Sequence, residues 1–222
     1  MEKYKVVEIF ESINGEGRKA GQLAIFVRFQ KCNLNCSYCD TRWANSEDSP
    51  YISMSADEIY KRILESGITN VTLTGGEPLL QNNIVELLEK LAENQDLKVE
   101  IETNGSVNLE KFSRIKNPPS FTMDYKLPSS LMEERMDLEN FKYLTEKDTV
   151  KFVSGSMEDL EKARYIIEKY SLIGKCGVYI SPVFDKIELS EIVEFMKKYK
   201  LNGVNFQLQI HKVIWDPESK GV

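Results

Sequence analysis

Short runs rich in Val, Ile, Phe and Tyr recur along the chain at 24–30, 70–74, 98–103, 121–126, 149–154, 177–182 and 203–209. β-Branched and aromatic side chains suit a pleated surface, so each run is expected to be a strand. Between most of them apolar residues return every three or four positions, which is the spacing of one helix face. Ser55-Ala-Asp-Glu58 is a capping box, and behind it Ile59, Tyr60, Ile63 and Leu64 share a side. Ile84, Leu87, Leu88 and Leu91 repeat the pattern, as do Leu160, Ala163, Ile167 and Tyr170 behind Ser156, and Ile192, Phe195, Met196 and Tyr199 behind Ser190. All of these positions are expected to be core. Strands alternating with helices imply right-handed crossovers and parallel pairing. A closed eight-fold barrel typically takes about 250 residues. The expected fold is therefore α/β, an open or partial β/α barrel with parallel strands. Its chemistry should lie just after the strands' carboxyl ends.

At 222 residues the chain suits one domain, 1–222, with an additional N-terminal strand in Met1-Glu-Lys-Tyr-Lys-Val-Val-Glu-Ile-Phe10. The stretches 43–53, 117–120 and 128–137 read as insertions and not as linkers. Apolar residues at 41% and charged residues at 29% describe a globular protein. Twenty-nine basic against 35 acidic residues give a net charge of −6, which disfavours a nucleic-acid partner. No run of 18 apolar residues and no secretory leader is visible, so no membrane association is expected and the cytoplasm is the expected address. Thiols stay reduced there, which makes the four cysteines ligands or reactive groups before disulfides.

Three of those cysteines fall within eight residues, Cys32-Asn-Leu-Asn-Cys36-Ser-Tyr-Cys39, on a loop directly after the first core strand. Thiolates so close together suit a soft metal centre. Zinc would need a fourth ligand, which only Cys176 or His211 could supply, whereas an iron–sulfur cluster on three cysteines leaves one iron open. Spacing alone leaves both readings standing. Thr74-Gly75-Gly76-Glu77-Pro78 closes the next core strand; its glycines permit close backbone approach, and Glu77 offers a carboxylate for an amine.

Cys-x3-Cys-x2-Cys followed one β/α unit later by Gly-Gly-Glu-Pro resembles the radical S-adenosylmethionine superfamily. The resemblance implies a [4Fe–4S] cluster on Cys32, Cys36 and Cys39, whose open iron chelates S-adenosylmethionine, with the Gly-Gly-Glu turn at its amino group. Within that superfamily, Ile13-Asn14-Gly15-Glu16-Gly17, Phe26-Val27-Arg28, Cys39-Asp40-Thr41, Glu102-Thr103-Asn104-Gly105 and the tail Gln209-Ile-His211-Lys212…Trp215…Gly221-Val222 are similar to the 7-carboxy-7-deazaguanine synthase family. That likeness assigns Ile13, Asn14 and Gly15 to the wall of a pterin pocket. It makes Arg28 a clamp on the substrate's carboxylate, Thr41 a Mg²⁺ ligand and Thr74 a substrate contact. Gly76, Glu77 and Lys126 fall to S-adenosylmethionine, as do Ser181 and, less directly, Asp124 and Tyr125, since Asp124-Tyr125-Lys126 stands where the family has Ser-Pro-Lys. Val222 would bring a terminal carboxylate to the substrate. Asp40 reads as a loop cap, Glu102 and Thr103 as strand-end caps or ligand contacts, and His211 and Cys176 as structural.

The implied reaction is ring contraction of 6-carboxy-5,6,7,8-tetrahydropterin to 7-carboxy-7-deazaguanine. It starts with one-electron cleavage of S-adenosylmethionine and removal of hydrogen from C6, ends with loss of ammonia, and regenerates S-adenosylmethionine. The family also implies a homodimer and flavodoxin or ferredoxin as electron donor. Two other readings stand beside it. An activating enzyme for glycyl-radical proteins shares the cysteine spacing, and a non-catalytic zinc module could use the three cysteines with Cys176 or His211.

Overall fold

A computed structural model describes residues 3–217 and 219–222. Its strands are β1 (Tyr4–Ile13), β2 (Leu23–Phe29), β3 (Ile52–Met54), β4 (Asn70–Gly75), β5 (Lys98–Thr103), β6 (Ser120–Tyr125), β7 (Thr149–Ser154), β8 (Gly177–Pro182) and β9 (Val204–Phe206). The helices are α1 (Arg42–Asn45), α2 (Ala56–Ser66), α3 (Ile84–Ala92), α4 (Glu110–Ser113), α5 (Met157–Lys169), α6 (Leu189–Tyr199) and α7 (His211–Ile214). The strands join in one nine-stranded sheet of order β3-β1-β2-β4-β5-β6-β7-β8-β9. β1 is antiparallel to both of its neighbours, and every pairing from β2 to β9 is parallel. β3 and β9 are the free ends of the sheet, so the barrel stays open, as the strand count implied.

Alternation along each strand sorts the residues into two faces. Val27 and Phe29, Val71 and Leu73, Phe121 and Met123, Val150 and Phe152, and Val178 and Ile180 pack with helix residues such as Ile59, Ile63, Leu87 and Ile166 in one apolar core. The intervening positions point inward and are mostly polar: Arg28, Thr72, Thr74, Glu100, Glu102, Thr122, Asp124, Lys151 and Ser181. The fold thus lines its concave side with side chains that hydrogen-bond and carry charge.

The capping box at Ser55 forms in both directions, with Glu58 N–H donating to Ser55 Oγ at 3.2 Å and Ser55 N–H to Glu58 Oε2 at 2.7 Å. Four local expectations are corrected. Leu64 is 46% exposed, because the buried side of α2 is carried by Ala56, Ile59 and Ile63. Ser190 lies inside α6 and caps nothing, since the helix opens one residue earlier, after Glu188. The run at 203–209 is a strand only over Val204–Phe206; beyond it the chain leaves the sheet, and Gln207 turns back toward Gly17. The insertion at 43–53 contributes α1 and the edge strand β3.

Two segments close the concave side. The loop from β1 to β2 is tied to the end of the chain: Gly17 N–H donates to Gln207 Oε1 at 2.7 Å and Ile210 N–H donates to the Gly15 carbonyl at 3.1 Å. The tail after β9 then lies across the strand ends. Among the described residues no helix is long and apolar enough to cross a membrane.

Candidate active site

A cavity of about 290 Å³ opens at the carboxyl ends of the parallel strands. Its wall takes Cys32, Cys36 and Cys39 from the loop after β2, Thr74 and Gly76 from β4 and its turn, Asp124 and Lys126 from β6, and Val222 from the tail. Ile13, Gly15, Arg28 and Thr41 line it as well. Most of the residues singled out in the sequence therefore meet in one place.

The cysteine loop and the Gly-Gly-Glu turn are bonded to each other. Gly76 N–H donates to the Phe29 carbonyl at 3.1 Å, and Glu77 N–H to the Lys31 carbonyl at 2.9 Å. Gly75 sits at φ +134°, and a side chain there would press into the Phe29 backbone. A Cβ on Gly76 would overlap the Lys31 carbonyl and stand 2.7 Å from the Cys32 nitrogen. The absent side chains thus let the turn pack against the backbone that launches the thiol loop.

All three loop cysteines are free thiols. Burial pushes the Cys32 and Cys36 thiols above their ordinary range, an effect that a bound cationic centre would offset. Among the described residues no three His, Cys, Asp or Glu side chains are grouped to hold a single ion. A cluster makes no such demand, because each thiolate takes its own iron. Cys176 is remote from this cavity: its thiol points to the Leu172 carbonyl at 3.8 Å, and burial raises it to about 11. It is not a fourth ligand.

Arg28 reaches the cavity from β2. Its Nε donates to Glu8 Oε1 at 2.7 Å, and its guanidinium centre lies 5.5 Å from the Phe10 ring and 5.8 Å from that of Trp43. Its two Nη groups make no hydrogen bond among the described residues, so the forked edge is available to a carboxylate. Thr41 Oγ1 lies 3.6 Å from Cys39 Sγ.

Four assigned residues are not in the cavity wall. Tyr125 is turned away by the strand alternation: it packs between Phe141 and Phe152, with ring centroids 6.0 and 5.7 Å away, and its hydroxyl donates to Glu133. Glu77 is wholly buried and points into the fold, where its carboxylate accepts from Leu79 N–H, Thr103 Oγ1 and Asn104 N–H at 3.1, 2.9 and 2.7 Å. Burial lifts that carboxyl to about 7 against the pull of the three donors. It secures the end of β5 instead of reaching for an amine. Asn14 accepts from Thr72 Oγ1 at 2.9 Å under the cavity, and its backbone carbonyl is taken by Gly21 N–H. Ser181 is fully buried beside Glu16.

The structure also adds residues. Lys151, on the inner face of β7, donates to Glu16 Oε2 at 2.8 Å and lies 3.4 Å from Asp124 Oδ1, while Lys126 pairs with Asp124 Oδ2 at 3.0 Å. Burial works against the charge of Lys151, but the two carboxylates outweigh it and hold the ammonium well above its ordinary range. The signal in the sequence was a lysine between Val150 and Phe152 in a strand otherwise apolar or hydroxylated. Glu102, which accepts from Thr74 Oγ1 at 2.7 Å, lies in the cavity wall and is no mere strand cap. His211 is there too, stacked so closely on Gly15 that a side chain at 15 would overlap its Nδ1. Asp40 also pairs with the tail: burial opposes its charge, and Lys212 at 3.2 Å overcomes this and keeps the carboxyl below its usual range.

Three thiols on one loop, held against a Gly-Gly-Glu turn at the mouth of an open parallel β/α barrel, define a radical S-adenosylmethionine enzyme, and the Radical SAM superfamily model matches residues 26–126. A protein named 7-carboxy-7-deazaguanine synthase from Clostridium acetobutylicum is 59% identical over 219 residues, covering 99% of each chain. Another so named, from Chlorobaculum tepidum, is 36% identical over 220 residues, 98% of this chain and 96% of its own. The crystal structure of QueE from Escherichia coli shares the fold with a TM-score of 0.73 at 21% identity, covering 93% of this chain and 92% of that one. This chain belongs to the 7-carboxy-7-deazaguanine synthase family.

Proposed function

We propose that the chain, working as one domain, catalyses the ring contraction of 6-carboxy-5,6,7,8-tetrahydropterin to 7-carboxy-7-deazaguanine with release of ammonia. The observation that carries this reading is the 59% identity to a protein of that name over 99% of both chains. The meeting of the thiol loop and the Gly-Gly-Glu turn at one cavity supports it.

In this reading Cys32, Cys36 and Cys39 hold a [4Fe–4S] cluster, and Gly76, Lys126 and Asp124 face S-adenosylmethionine. Together these groups would supply, when bound, the one-electron chemistry that removes hydrogen from C6 of the substrate. The protein's part is to place that carbon and keep water from it. Arg28 grips the substrate's carboxylate with the fork that Glu8 leaves free. Phe10 and Phe26, stacked with centroids 4.9 Å apart, and Trp43 form an apolar side of the cavity. Thr74, Glu102, Ile13 and Gly15 lie along the pterin, and Val222 closes the site from the tail. Thr41 supplies one hydroxyl oxygen to Mg²⁺, which suits an ion that keeps several waters and takes the rest of its ligands from the substrate. The enzyme is proposed to act in the cytoplasm as a homodimer, reduced by flavodoxin or ferredoxin.

The test is anaerobic incubation of reconstituted protein with S-adenosylmethionine, reductant, Mg²⁺ and the tetrahydropterin, following 7-carboxy-7-deazaguanine by mass. Brown protein that cleaves S-adenosylmethionine without forming this product would sink the substrate assignment. Arg28→Ala should leave the cluster intact and weaken substrate binding about 10- to 100-fold, the worth of a charge-assisted contact of roughly 1.5–3 kcal/mol; an unchanged dissociation constant would remove the clamp. Thorough chelation, and Thr41→Ala without added metal, should each slow turnover by about tenfold or more. Turnover indifferent to both would end the role of Mg²⁺.

A further inference from the structure

The thiol loop is met by amide donors from two other parts of the fold. Asn45, the last residue of α1, points its Nδ2 at Cys39 Sγ, 3.3 Å away, and its side chain makes no other hydrogen bond among the described residues. Asn104, just past β5, points its Nδ2 at Cys32 Sγ, 3.5 Å away, and Leu34 N–H lies 3.4 Å from the same sulfur. Asn104 is fixed from every side. Its Nδ2 also donates to Asn33 Oδ1 at 3.0 Å, its Oδ1 accepts from Ser106 N–H and Oγ at 3.0 and 2.7 Å, and its own N–H is held by the buried carboxylate of Glu77. That last contact gives Glu77 a purpose: it sets the position from which Asn104 faces the sulfur.

A donor aimed at a ligating thiolate stabilises the more negative, reduced cluster more than the oxidised one, and so raises its reduction potential. We propose that the side-chain amides of Asn45 and Asn104 tune the potential of the cluster on Cys32, Cys36 and Cys39, acting as positioned donors to its thiolates. The inference rests on the reading of those three cysteines as cluster ligands.

Asn45→Leu keeps the volume of the side chain and removes the donor. In anaerobically reconstituted full-length protein, without S-adenosylmethionine, an EPR-monitored redox titration should give this variant a lower midpoint than the wild type at equal iron and sulfide content. An unchanged or higher midpoint at equal loading overturns the proposal. A second measurement needs no variant. Wild-type protein carrying asparagine labelled with ¹⁵N at Nδ, reduced and observed by pulsed EPR, should show coupling of the cluster spin to side-chain amide nitrogen, and absence of that coupling also overturns it. Wild-type protein that binds no iron would overturn the cluster reading itself, a different failure from an iron-loaded protein whose potential ignores Asn45.

Discussion

Alanine at Cys32, Cys36 or Cys39 is expected to abolish the brown absorbance of the reconstituted protein and its product formation together, with no product above background. Two thiolates cannot hold a cluster that needs three and must keep its fourth iron open. The loss should be chemical and not a loss of folding. The three residues lie on a loop outside the strands, and removing one sulfur leaves the apolar core untouched. Thermal unfolding of each apo variant should therefore match the apo wild type to within about 1 kcal/mol. Cys176→Ala is the control, because its thiol is bound to the Leu172 carbonyl away from the cavity, and this variant should keep both colour and activity. A brown, active Cys36→Ala protein would refute the ligand assignment outright.

The second large effect is expected in stability. Lys151 neutralises Glu16, and its neighbour Asp124, at the inner face of β7, with the Lys151 and Glu16 side chains only 7% and 8% exposed. Lys151→Met would leave three carboxylates, Glu16, Asp124 and Glu102, inside the fold, with Lys126 paired to Asp124. Removing one partner of a buried pair costs about 3–5 kcal/mol, which denaturant unfolding would register as a lower midpoint at unchanged slope. The pH dependence follows from Glu16. Burial opposes its charge, but Lys151 overcomes this and keeps its carboxyl below the ordinary range. Its contribution in the wild type is thus fully present above the unfolded glutamate pKa and is lost as pH falls through the folded value. In Lys151→Met that glutamate gains by being protonated, so the deficit should narrow on acidification. A deficit that is small at neutral pH, or that widens in acid, would show that the pair does not carry this load.

What could be read from the chain was what repeats locally. The helix faces of α2, α3 and α5, the parallel strands and the thiol loop are all written within a dozen residues of themselves, so periodicity and spacing were enough to find them. The two-residue period of the strands was available as well, and it would have turned Tyr125 outward and Lys151 inward. Reading the strands as apolar runs hid both. The partnership of Lys151 with Glu16 spans 135 positions, and no local pattern encodes it. Glu77 was found by its motif, but its direction was not, because three donors from Leu79, Thr103 and Asn104 hold it away from the cavity. Asn45 carries no mark of its own, and Asn104 stood out only as a member of the 102–105 motif with no role attached; only the folded loop brings them to sulfur.

The tail after β9 forms part of the cavity wall, and its ties run almost the length of the molecule: Gln207 to Gly17 across 190 positions and Gln209 to Glu16 across 193. Contacts so remote along the chain form late. During translation the strands from β2 to β8 emerge and can pair first. Until Gln207 and the residues after it leave the ribosome, the cavity lacks that side of its wall. The tail can therefore take its place in the cavity wall only after the strands that form its floor have been made.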